Sequence, residues 1–199
     1  MMSDPMVLSA DLGGVRTLTL NRPVTGVAVG AGWNLALGCD FVVATSESTF
    51  SQIFAKRGLS VDLGGSWLLP RLVGLAQAKR LALLAETIDA DEAHALGLVT
   101  WVVAADQIDE FVVDLGARLV AGPAIALAQT KALLNEGADR TLKDALADEA
   151  RTQAVNFATA DTRDRRHRGG VCGVRREALA DIHGSVGGAQ KGAEQCVRR

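Results

Sequence analysis

The chain has 199 residues, 48% hydrophobic and 22% charged, enough for one domain with a buried core. Its formal net charge of −2 argues against nucleic acid as a partner of the chain as a whole. Cys39, Cys172 and Cys196 are too scattered for a C-x-x-C pair or a zinc spacing, the start shows no signal-peptide pattern, and no apolar run approaches the ~20 residues that span a bilayer, so a cytoplasmic protein without membrane or metal partners is expected.

In chain order, Val15–Leu20 alternates apolar and polar residues as a half-buried strand does, and Pro23 ends it. Val24–Val29 and Phe41–Ala44 are short β-rich runs, and Trp33–Gly38 between them allows about two helical turns. Ala76–Glu86 reads as helix. Asp89 and Glu92 have capping-box spacing and open a short helix that Gly97 closes. Asp106 is the expected cap of a helix with Ile108, Phe111, Val112, Leu115 and Leu119 at helical period. Gly122-Pro123 stops that helix and starts another, which ends near Gly137. Thr141 caps a last helix whose Leu142, Leu146 and Ala150 share a face. Short strands followed by helices predict an α/β fold.

Residues 161–199 break with this pattern. They hold nine Lys/Arg against five Asp/Glu, leaving twelve basic and eighteen acidic residues ahead of them. The expected organisation is a domain over 1–160 and a basic, Gly/Arg-rich, disordered tail over 161–199. The cluster Arg163-Asp164-Arg165-Arg166-His167-Arg168 has the charge to meet phosphate, but a solvated tail is the simpler reading.

Two segments could carry chemistry. In Gly26-Val27-Ala28-Val29-Gly30-Ala31-Gly32 a strand runs into a glycine turn and then a helix. Unpaired N–H groups at such a turn favour an anion, or a carbonyl oxygen becoming one. A tight turn without a ligand explains the spacing equally simply. A dinucleotide fingerprint fails because Leu35 stands where the third glycine belongs. In Gly58–Trp67, Asp62 sits in an apolar, Gly-bounded loop, a candidate proton shuttle or an ordinary cap of the following turn. Ser66 lacks a nucleophile elbow, which speaks against a serine hydrolase.

In order, Asn21-Arg22-Pro23, the Gly26–Gly32 run, Leu35–Asp40, Gly58-Leu59, Asp62, Gly64-Gly65, Leu69-Pro70-Arg71, Ile88-Asp89-Ala90, Gly97-Leu98-Val99 and Leu146–Glu149 resemble the crotonase superfamily of enoyl-CoA hydratases and isomerases. The Asp62 loop with Ser66–Arg71 is most similar to its ring-epoxide phenylacetyl-CoA isomerases. The resemblance covers residues 15–160. It implies a spiral of ββα units, incomplete here, with C-terminal helices that build a homotrimer or hexamer. It implies an acyl-CoA thioester as substrate, with coenzyme A entering as part of it and no separate cofactor. Gly26, Ala28, Gly30 and Ala31 fall in the thioester-binding segment. The N–H of Ala31, supported by Gly30 and Gly32, maps to one oxyanion donor, and Asp62 to the isomerase base. Asn34 and Phe54 occupy the positions of the two hydratase glutamates, so isomerisation is expected over hydration. A non-catalytic acyl-CoA-binding remnant, or a hydratase that places water by other groups, are the alternatives. The resemblance also implies that several tens of residues, with the second oxyanion donor, are missing after Pro23. The tail reads as the product of a reading-frame change.

Overall fold

The computed structural model describes residues 7–20 and 26–159. The junction at 21–25 and the tail from 160 onward, including its expected disorder, lie outside the described residues. The chain divides into two units, Met1–Ala124 and Ile125–Arg199.

The first unit opens with an antiparallel hairpin, β1 (Val7–Leu12) and β2 (Val15–Leu20), closed by Gly13 and Gly14 at positive φ. The alternation in 15–20 predicts β2, whereas β1 carries no comparable signal. Next come β3 (Val27–Val29), helix α1 (Ala31–Leu37), β4 (Val43–Thr45) and β5 (Thr49–Ser51). A 3-10 turn (Ile53–Arg57), α2 (Gly65–Leu84), β6 (Thr87–Asp89), α3 (Ala90–Ala95), β7 (Trp101–Val103) and α4 (Ile108–Val120) complete it. Strand β5 lies between β3, parallel to it, and β6, antiparallel. Strand β4 pairs with β7 in parallel. The fold is α/β, as the order of short strands and helices predicts.

The core draws one or two residues each from α1, β4, β5, β6 and α3, with α2 and the loop at Leu98–Val99 completing it. Trp33, Leu37, Ala44, Phe50, Leu69, Leu81, Ile88, Ala93, Leu98 and Val99 form one buried cluster. Trp33 and Phe50 stack obliquely at 5.4 Å between ring centroids. Phe41, Trp101 and Phe111 form a second aromatic row, with successive centroids 5.4 and 5.6 Å apart.

Helix α2 corrects the sequence reading, which starts a helix only at Ala76. It begins eleven residues earlier, at Gly65, runs through Pro70 and breaks at Gly74 (φ 75°, ψ 160°). Gly, Pro and Gly are helix breakers by propensity. Burial of Leu69 and Leu81 on either side of the break outweighs that preference. The predicted capping box forms by half. Asp89 Oδ1 accepts the Glu92 N–H at 2.8 Å. The Glu92 carboxylate turns instead to Arg80, 2.8 Å from Nη2, while Arg80 Nε reaches Glu86 at 2.7 Å. Asp106 does not cap α4. The helix starts one residue later, and Gln107 holds the cap position without a side-chain bond.

The second unit carries α5, which begins at Ala124 in the first unit and runs to Gly137, and α6 (Leu142–Ala158). Thr141 caps α6 as predicted, its Oγ1 accepting the Asp144 N–H at 3.2 Å. Arg140 ties the pair together, 2.6 Å from Glu136 and 2.8 Å from Asp148. The shared face of Leu142, Leu146 and Ala150 is exposed; the half-buried residues of α6 are Ala145, Asp148, Thr152 and Asn156. Among the described residues no single helix is long and apolar enough to cross a membrane.

The two classes of apolar residue should respond differently to truncation. Leu81→Ala, at a fully buried position, is expected to cost about 2–5 kcal/mol in urea unfolding. Leu134→Ala, 72% exposed, is expected to stay within about 0.5 kcal/mol of the parent chain.

Candidate active site

The glycine turn is built by the end of β3. Gly30 donates its N–H to the Ser51 carbonyl at 2.9 Å, continuing the β3–β5 pairing by one bond. The backbone then turns at φ 52°, ψ −123°, a conformation that favours glycine. Space also limits the residue. A Cβ on Gly30 would stand 3.3 Å from Phe54 Cζ and 3.4 Å from Ile53 Cγ2. The first helical bond runs from the Asn34 N–H to the Gly30 carbonyl at 3.0 Å. The N–H groups of Ala31, Gly32 and Trp33 precede it, and no side-chain bond caps the turn.

One turn along α1, the Asn34 side chain is buried and bonded at both its oxygen and its nitrogen. Its Oδ1 accepts from Gln52 Nε2 at 2.8 Å, and its Nδ2 donates to the Asp62 carbonyl at 2.9 Å. The same carbonyl accepts the Gly65 N–H at 2.9 Å. Asn34 therefore connects the 3-10 segment after β5 with the loop that leads into α2. Gly65 is required by contact, because a Cβ there would lie 2.4 Å from Asn34 Nδ2 and 2.6 Å from Val61 Cγ1.

Several residues singled out in the sequence meet here. Gly30, Ala31, Gly32, Asn34 and Phe54 form one neighbourhood, and the main chain of Asp62 is bonded to it. The Asp62 carboxylate is exposed rather than enclosed by the apolar residues around it in sequence. It does not cap α2 either; Gly64 holds that position. Gly26 lies at the other end of β3, its carbonyl accepting the Thr49 N–H at 2.9 Å. Ala28, in the middle of β3, pairs with Phe50 and packs on the core. Sequence reasoning missed Gln52 and the packing role of Gly65. The Gly64-Gly65 pair stands out in the sequence only as a motif, not as the start of a helix, and nothing in spacing singles out Gln52. A cleft of about 370 Å³ between α5 and α6, lined by Leu133, Gly137, Ala145 and Asp148 among others, contains none of these residues.

Residues 18–170 match the model of the enoyl-CoA hydratase/isomerase family. The chain belongs to that family. A probable enoyl-CoA hydratase of Rhodobacter capsulatus is 41% identical over 141 residues, which are 71% of this chain and 55% of the relative. The 1,2-epoxyphenylacetyl-CoA isomerase of Escherichia coli is 38% identical over 71% of this chain and 54% of its own length. A Thermobifida fusca relative described as an enoyl-CoA hydratase, solved with acetoacetyl-CoA, superposes with a TM-score of 0.65. It is 38% identical over 67% of this chain and 52% of its own. The chain thus spans about half the length of the relatives it matches. The family match begins inside β2 and ends among residues beyond those described.

The tight contact at Gly65 gives a direct check. Gly65→Ala forces a methyl group against the Asn34 amide and is expected to lower stability by about 1–3 kcal/mol. The readout is a lower urea midpoint with an unchanged slope.

Proposed function

We propose that the chain binds an acyl-CoA thioester at the Gly30–Gly32 turn and moves a double bond along its acyl group, in preference to adding water. The observation that carries this reading is the chemistry of the site's walls. Asn34 does not titrate, and its amide is committed to two hydrogen bonds. Phe54 presents hydrocarbon beside Gly30. A pair of carboxylates able to activate water is therefore missing at these two positions, while one carboxylate, Asp62, stands on the attached loop.

In the proposed reaction the Ala31 N–H, at the positive end of α1, donates to the thioester oxygen, and Gly30 and Gly32 keep the backbone accessible. Asp62 takes a proton from the carbon beside the thioester carbonyl, and the C–H electron pair moves to make an enolate on that oxygen. The enolate collapses as the proton returns farther along the acyl chain, so no atom is gained or lost. Coenzyme A enters as part of the substrate, and the reaction needs no separate cofactor. A single oxyanion donor of this kind contributes roughly 2.7–4 kcal/mol to the transition state. The E. coli isomerase supports the reaction type and the acetoacetyl-CoA complex supports the ligand class. The scattered cysteines support the cytoplasm as its compartment. The exposed apolar face of α6 supports assembly into a homotrimer or hexamer.

The second reading, an acyl-CoA binder without turnover, is favoured by one observation: the Asp62 carboxylate is exposed rather than enclosed. Product analysis separates the two. With an enoyl-CoA substrate the parent chain is expected to give the shifted double bond and no hydroxyacyl product, and Asp62→Asn is expected to abolish the shift. Turnover undiminished in Asp62→Asn removes Asp62 as the base. A ligand-stabilised melt, about 2.7 kcal/mol at one hundred times the dissociation constant, without any product establishes the binder.

A further inference from the structure

The neighbourhood of the turn contains a group that the proposed proton transfer does not use, and its bonding assigns it a task. Asn34 is 1% exposed and Gln52 is fully buried. An amide in that position is costly unless its donors and acceptor are matched. Asn34 meets most of this demand, through its oxygen and one of its two N–H donors, with partners from two different segments. Its Oδ1 accepts from Gln52 Nε2, and its Nδ2 donates to the main-chain oxygen of Asp62. With the Gly65 N–H also bound, that oxygen accepts two hydrogen bonds, the capacity of a carbonyl's two lone pairs. Leu59 adds one main-chain bond, its N–H donating to the Phe54 carbonyl at 3.0 Å. Leu59, Ser60, Asp62 and Leu63 are exposed, and Leu63 takes a positive φ of 44°. The loop therefore has little apolar burial of its own with which to fix a conformation.

We propose that Asn34 is a positioning residue: its carboxamide, oriented by Gln52, clamps the main chain at Asp62 and so sets where the Asp62 carboxylate stands. The bond is to the carbonyl, not the carboxylate, so Asn34 transfers no proton. Carboxamide chemistry is what the position needs. A carboxylate there could accept from Gln52 but, when ionised, could not donate to the Asp62 carbonyl. The catalytic consequence rests on Asp62 being the base; the clamp itself does not.

The test measures amide hydrogen exchange over residues 59–65, with α3 as the internal reference, in the parent chain, Asn34→Leu, Gln52→Met and Asp62→Asn. Asn34→Leu is expected to raise exchange in 59–65 about tenfold while α3 is unchanged, because it removes the side chain that joins the two segments. Gln52→Met, which removes only the bond that orients the amide, is expected to raise it about threefold. Asp62→Asn keeps the main-chain bonds and is expected to leave protection as in the parent. In the isomerisation assay Asn34→Leu is expected to lower kcat with little change in KM. Parent-like exchange in 59–65 for Asn34→Leu overturns the clamp. If Asn34→Leu also loses protection in α3, Gln52→Met decides: loosening confined to 59–65 supports the clamp and parent-like exchange overturns it. Persistent turnover in Asp62→Asn overturns the base assignment and leaves the clamp standing, so the two failures are distinguishable.

Discussion

Helix α1 is seven residues long, and two turns of helix do not persist alone in water. Its packing must hold it, and β3, β5 and the segments leading into α2 are arranged to do so. Trp33 and Leu37 face the core cluster, with Trp33 against Phe50 of β5. The Gly30 N–H fixes the start of the helix to β5 through the Ser51 carbonyl. Asn34 fixes its middle to the segment after β5 and to the loop before α2. A displacement of α1 would therefore disturb the β3–β5–β6 sheet, the start of α2 and the glycine turn together. The turn's free N–H groups are held in place by this packing, not by any stiffness of their own.

The polar groups inside this core deserve a physical account, because apolar side chains of similar volume would be cheaper to bury. Ser51 Oγ donates to the Ala85 carbonyl at 3.1 Å, which satisfies the αL residue that ends α2. Gln52 and Asn34 satisfy each other in part, although Gln52 Oε1 and Trp33 Nε1 have no hydrogen-bond partner. The bonds that are made fix orientation in a way that apolar packing does not. Here they orient the segments around the site, whereas the aromatic and aliphatic cluster supplies the burial. Arg80 does similar work at the surface. Its hydrogen bonds to Glu92 and then Glu86 raise its pKa from the ordinary arginine value, and they join the end of α2 to α3.

Outside the core, the first unit leaves Leu59, Leu63, Trp67, Leu72 and Leu75 exposed around the start of α2, and the second leaves Leu134, Leu142, Leu146 and Phe157 exposed. Arg71 lies over the Trp67 ring, 3.9 Å from its centroid, and shields one face of it.

Much of the framework was legible in local sequence. Alternation marked β2, the Asp89 and Thr141 caps marked α3 and α6, and Gly122-Pro123 marked the break between α4 and α5. The ordered glycine and Asp motifs placed the chain in its family and pointed to the Gly30 turn. These features are local: a cap, a period or a turn depends on residues within one or two turns of chain. The early start of α2, the direction of the Glu92 carboxylate and the exposure of the Leu142–Ala150 face were not legible, because each depends on what a distant segment places alongside. The same holds for the site. The sequence shows that positions 34 and 54, which the resemblance singles out, hold no carboxylate. Only the tertiary structure joined Asn34 to Gln52, eighteen residues away, and to Asp62, twenty-eight residues away, because bonds across such separations depend on the packing of Trp33, Phe50 and Leu69 that holds the segments side by side.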